Sequence, residues 1–142
     1  MVHIGYSSYF SGLTNMASSW SGIRSFVECC CMDKDKFKEA FATDYDLSPE
    51  SIVLEKCDMS LHEILSNWFC EEAPTKVTDS LLYWISLEIG EPICVYEPSD
   101  SCDVADVLSR CSGGVSRFYF VEEVCFAEFE EYMLCFMIGN NE

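Results

Sequence analysis

Ten cysteines and two histidines are the side chains of this 142-residue chain best suited to covalent or metal chemistry. Cys29, Cys30 and Cys31 are consecutive, and Cys57, Cys70, Cys94, Cys102, Cys111, Cys125 and Cys135 are spread along the rest. A thiolate nucleophile needs a base beside it, and a zinc site needs ligands in paired spacing. No C-x-x-C occurs, and His3 and His62 stand far from each other in sequence. His62 falls in a helix-capping turn, which gives it a surface role. Most of the cysteines lie in apolar periodic stretches, where a free thiol packs as a small hydrophobe.

Catalytic motifs are missing as well. The chain has no G-x-G-x-x-G, no G-x-x-x-x-G-K-[ST], no H-E-x-x-H and no G-x-S-x-G. Glu97, Asp100 and Asp103 in EPSDSCD lack the spacing of a calcium loop. The reading therefore assigns no catalytic, cofactor-binding or metal-binding residue, and expects a protein that is not an enzyme and needs no cofactor.

What stands out is charge. The net charge is −17, from 25 acids and 8 bases. Up to residue 40, Glu28, Asp33, Asp35 and Glu39 are balanced by Arg24, Lys34, Lys36 and Lys38, so the whole excess lies beyond. Self-repulsion of this size opposes compaction. It also repels nucleic acid and anionic membranes, which leaves basic protein surfaces as partners. Duplex DNA carries one charge per ~1.7 Å, so an equal charge spans roughly 29 Å of duplex.

Length and a 49% apolar content suffice for one core. The expected organisation is a single compact unit over 1–142, with an N-terminal subdomain 1–74 and a C-terminal subdomain 75–142 as the division to test. The start has neither a basic region nor a long apolar one, and no run of 18 apolar residues occurs. A reduced, cytoplasmic protein is expected.

Periodicity places a strand at 2–6, a Ser/Gly-rich loop over 7–22, a helix over about 33–42 with Asp33 as cap, and a strand at 51–56. Ser60 and Glu63 form an S-x-x-E capping box before Leu61, Ile64, Leu65, Trp68 and Phe69 at helical spacing. Thr78 is expected to cap a helix with Leu81, Leu82, Ile85 and Ile89 inward and Gly90 at its stop. A strand at 93–96, a turn at 97–101, a helix over 102–111 capped by Ser101, and a strand at 115–121 follow. A last helix over 125–137 is expected, with Phe126, Phe129, Tyr132 and Met133 inward and Glu128, Glu130 and Glu131 on a solvated face. SIVLEK with LHEILS and ICVY with VADVLS read as a duplicated strand, acidic turn and helix. The fold class is α+β, with small strand and helix units alternating around a mixed or antiparallel sheet and an acidic surface.

Several of these stretches together resemble ArdA-type antirestriction proteins, acidic products of phages and mobile elements that imitate DNA. The similarity runs over about residues 2–112: VHIGYSSYFSG with Tyr9, Gly12 and Trp20; SLHEILSNW with Ser60, Leu61, Glu63 and Trp68; and ICVYEPSDSCDVADVL with Asp103, Val104 and Ala105. The family's Tyr-Ile-Asp-Tyr and Arg-Asp elements have no counterpart beyond it. The resemblance implies a non-catalytic DNA mimic that occupies the DNA cleft of a type I restriction-modification enzyme; another DNA-binding defence complex such as a CRISPR effector is the alternative target that the charge leaves open. Binding would be to a basic DNA-binding protein, without direct contact to nucleic acid or membrane, and a homodimer is an open arrangement. The carboxylates expected to stand for phosphates are those of Asp44, Asp46, Glu55, Asp58, Glu63, Glu71, Glu72, Glu88, Glu91, Glu97, Asp100, Asp103, Asp106, Glu122, Glu123, Glu128, Glu130 and Glu131. The alternative is an acidic protein-protein adaptor or inhibitor that does not imitate DNA.

Overall fold

The computed structural model describes residues 4–21, 26–44, 48–69, 76–99 and 120–140. In chain order these form α1 (Ile4–Ser21), β1 (Phe26–Asp33), a 3-10 turn (Lys34–Lys36), α2 (Phe37–Asp44), a second 3-10 turn (Pro49–Ser51), β2 (Leu54–Lys56), α3 (Leu61–Trp68), α4 (Lys76–Ile89), β3 (Cys94–Pro98), β4 (Phe120–Glu128) and β5 (Tyr132–Asn140). The strands make one sheet in the order β1-β5-β4-β3-β2. Every pairing is antiparallel, so the fold is α+β around an antiparallel sheet. Strands from both sides of residue 74 share that sheet.

The sheet is covered on both faces. On one, Val27, Cys29 and Cys31 of β1, Leu134, Phe136 and Ile138 of β5, and Cys125 and Ala127 of β4 pack with Phe10, Leu65, Trp68, Leu81 and Ile85 from α1, α3 and α4. On the other, Met32, Met133, Cys135, Met137, Val124 and Phe126 pack with Phe41 and Ala42 of α2 and with Ile52. The alternation of strand side chains divides the residues between the two cores.

The largest correction concerns 125–137, which is a β4–β5 hairpin and not a helix. Cys125 pairs with Phe136, Phe126 with Cys135 and Ala127 with Leu134, and the Phe129 N–H donates to the Tyr132 carbonyl at 2.8 Å. Residues 133–138 are apolar without interruption and all buried. A helix could bury only one arc of such a run, whereas a strand covered on both faces buries all of it.

The second correction is α1, where a strand at 2–6 and a loop were expected; residues 4–21 are helical. Tyr6, Phe10, Leu13 and Ala17 recur at helical spacing and face the core, with Phe10 and Ala17 buried. The serines are spent on the neighbouring strand. Ser7 Oγ accepts from the Cys31 N–H at 2.8 Å, Ser11 Oγ donates to the Cys29 carbonyl at 2.7 Å, and Ser18 Oγ accepts from the Val27 N–H at 2.9 Å. β1 is an edge strand, and these hydroxyls satisfy backbone groups that point away from β5.

Smaller adjustments follow. β1 runs on to Asp33, and the helix expected over 33–42 is α2, beginning at Phe37 after the 3-10 turn. Thr78 lies fully buried inside α4 rather than capping it. The strand expected over 51–56 is reduced to β2, and β3 extends through two residues of the expected turn. The capping box is present, with the Glu63 N–H donating to Ser60 Oγ at 3.1 Å and the Ser60 N–H to Glu63 Oε1 at 3.4 Å. Gly90 ends α4 with φ +87°, a conformation suited to glycine, and its N–H donates to the Ser86 carbonyl at 3.0 Å. The helix expected over 102–111, with the second half of the duplicated unit, lies outside the described residues, as does most of the strand at 115–121.

Candidate functional site

Four of the expected carboxylates gather where β2 ends. Glu55 stands directly opposite Glu97 across the β2–β3 pair, and both are exposed. Asp58 follows β2, and its neighbour Cys57 is anchored by an N–H donated to the Val95 carbonyl at 2.8 Å. The Cys57 thiol is pushed up by burial and by the carboxylates of Glu97 and Asp58. Tyr96 pairs with Phe126, so Glu97 lies next to Cys125, and exposed Glu123 follows two residues along β4 on the same sheet face; burial raises the Cys125 thiol, helped by Glu97, Cys57 and Glu123. Lys56, opposite Tyr96, alternates to the other sheet face. Among the described residues none of Glu55, Asp58, Glu97 and Glu123 is in an ion pair. Like charges directly opposed on a sheet are destabilising.

A second group borders the β4–β5 turn. Glu130 and Glu131 are exposed in the turn, and exposed Glu91 precedes a segment tied to it by the Ile93 N–H on the Glu128 carbonyl at 2.7 Å. Glu63 is exposed within its capping box, and Glu88 is exposed on α4. Asp46, Glu71, Glu72, Asp100, Asp103 and Asp106 lie outside the described residues, as do the side chains of Asp44 and Glu122.

Glu128 departs from its expected solvated position. Lys34 Nζ lies 2.5 Å from Oε2, while Tyr96 Oη and Cys94 Sγ donate to Oε1 at 3.0 and 3.3 Å. Lys34 first, then Tyr96 and Cys94, hold the carboxyl below the usual carboxylate range. A depressed folded value stabilises the fold above the unfolded value, about 4.3 for glutamate, and that stabilisation is lost as pH falls through the folded value. We therefore expect the thermal midpoint to drop in acid below about pH 4.3, and Glu128→Gln to flatten that part of the pH profile. An unchanged profile in the variant would show that this cluster is not the source.

His62 Nε2 lies 2.6 Å from Asp79 Oδ1 on the surface. The thiols of Cys29, Cys31 and Cys135 are pushed up, chiefly by burial, Cys31 to about 12, which disfavours the reactive thiolate. No cluster of three potential metal ligands occurs among the described residues.

Sequence reasoning missed an apolar groove of about 330 Å³ between α1 and α4. Tyr9, Leu13, Met16, Ala17 and Trp20 line one wall and Val77, Ser80, Leu81 and Trp84 the other. Tyr9 is 39% exposed, Met16 49%, Trp20 65% and Trp84 47%. The helical spacing of the first five was the available signal, hidden by reading 7–22 as loop.

Comparison with protein-family models, curated proteins and solved structures finds no match to this chain. Among the described residues no helix is long and apolar enough to cross a membrane.

Proposed function

We propose that this protein is a non-catalytic inhibitor that imitates DNA, acting in the cytoplasm on a basic DNA-binding defence enzyme. A type I restriction-modification enzyme is the first target to test, by resemblance, and a CRISPR effector the second. The observation that carries this reading is the exposed Glu55–Glu97 cross-strand pair, with Asp58 and Glu123 beside it and no ion pair among them. Such crowding costs stability, and a function that needs anionic density supplies a reason to keep it. Complementary potentials would speed encounter with a basic cleft, while uncharged contacts would select among enzymes.

The test is displacement of a labelled duplex from each enzyme, followed by fluorescence anisotropy. The wild-type protein should displace the duplex, and its own affinity for the enzyme, measured without DNA, should fall as salt rises. Glu55→Gln, Glu97→Gln and Glu123→Gln together should weaken inhibition by roughly tenfold, with unchanged or improved thermal stability because repulsion is relieved. Simultaneous binding of duplex and protein would leave the adaptor reading and end the mimicry proposal.

A further inference from the structure

The groove between α1 and α4 is a separate feature from the carboxylate groups, and its chemistry is the reverse of theirs. We propose that it docks one amphipathic helix of a partner protein, apolar on the buried face and rich in lysine and arginine on the outer face.

The groove decides the inner face. Its walls are two helices, with the hydroxyls of Ser80 and Tyr9 and the two indole N–H groups as its polar side-chain groups and no charge, so a charged group entering it would be desolvated without an ionic partner. Trp20 and Trp84, both about half exposed or more, are the residue type that most often anchors protein interfaces. An engineered cavity of about 150 Å³ holds a benzene ring. The 330 Å³ here accommodates roughly two large side chains, which one helix presents at i and i+4.

Charge decides the outer face. α1 carries no charged residue; on α4 Glu88 lies one turn beyond Trp84 and Lys76 stands at the helix start, while Asp79 is held by His62. With a net charge of −17, the chain attracts a cationic helix and repels an acidic one. The same repulsion disfavours a second copy, which would bring another −17 to the contact. Nothing in this argument requires DNA mimicry.

The test uses the whole protein and three synthetic helical peptides. One carries Leu and Phe anchors on one face and Lys on the other; the second has the anchors replaced by Ala; the third keeps the anchors and carries Glu in place of Lys. Calorimetric titration should show the first binding at least tenfold more tightly than either control. Met16→Glu with Trp84→Glu should abolish that preference, and both changes fall on half-exposed side chains. Amide chemical shifts of the wild-type protein give a second readout, independent of the variant's folding, and should move along α1 and α4.

Equal binding of the alanine peptide would mean that the overall field, not the groove, holds the helix. Equal binding of the acidic peptide would remove the basic occupant. A wild-type dimer that the double variant renders monomeric would place a second copy in the groove, and no binding by any peptide would overturn the proposal outright. Since the assay contains neither DNA nor a DNA enzyme, the groove and the inhibitor reading can fail separately.

Discussion

Phe126→Ala will lower the free energy of unfolding by about 3–5 kcal/mol, the range for emptying a buried aromatic site. Phe126 is fully buried at the centre of the sheet, and its ring lies 5.2 Å from that of Phe41 and 5.8 Å from that of Phe37. Both neighbours come from α2, the one helix on that face among the described residues, so refilling the site requires moving that helix. Phe126→Leu, which keeps most of the volume, should cost less than about 1.5 kcal/mol. Urea denaturation of the two variants measures both effects. A loss below about 1 kcal/mol for the alanine variant would mean that α2 does not seal this face.

Ser18→Ala will cost about 1–3 kcal/mol although it removes one oxygen atom. Ser18 is buried, donates to the Thr14 carbonyl at 2.9 Å, and accepts from the Val27 N–H at the same distance. Without the hydroxyl, that N–H faces a methyl group in a place closed to water. Ser19→Ala, on the exposed side of the same helix, should fall within about 0.5 kcal/mol of wild type. Hydrogen exchange adds a local signature: the Val27 amide should lose protection in the first variant and keep it in the second. Equal protection in both would show that α1 does not hold β1 through this contact.

Parts of the molecule were legible in the sequence because their signals are local. Ser60 and Glu63 begin α3 with each other's help, Gly90 ends α4 by its own backbone freedom, and ICVY marks β3. α1 was not legible, since serines and glycines argue against a helix until β1 is present to use the hydroxyls. The β4–β5 hairpin failed for a different reason. Phe126, Phe129, Tyr132 and Met133 fit a helical period, and a run apolar at every position carries no strand period to contradict them. Of the site, the acidic excess was plain from composition, but the opposition of Glu55 to Glu97 depends on register between strands some forty residues apart. The partner of Glu128, Lys34, is farther away still.

The pairing of β1 with β5 joins Phe26 to Gly139 and Asp33 to Tyr132, so β1 waits for a strand synthesised roughly a hundred residues later. At roughly 5–20 residues per second the ribosome needs about 5–20 s to span that interval. During it, Val27, Cys29 and Cys31, all buried in the finished fold, have α1 as company, and Met32 has α2, but none has β5 beside it. Nascent chains should therefore depend on holdase chaperones until β5 has emerged, and arresting translation before residue 132 should leave β1 open to proteases that spare the folded protein.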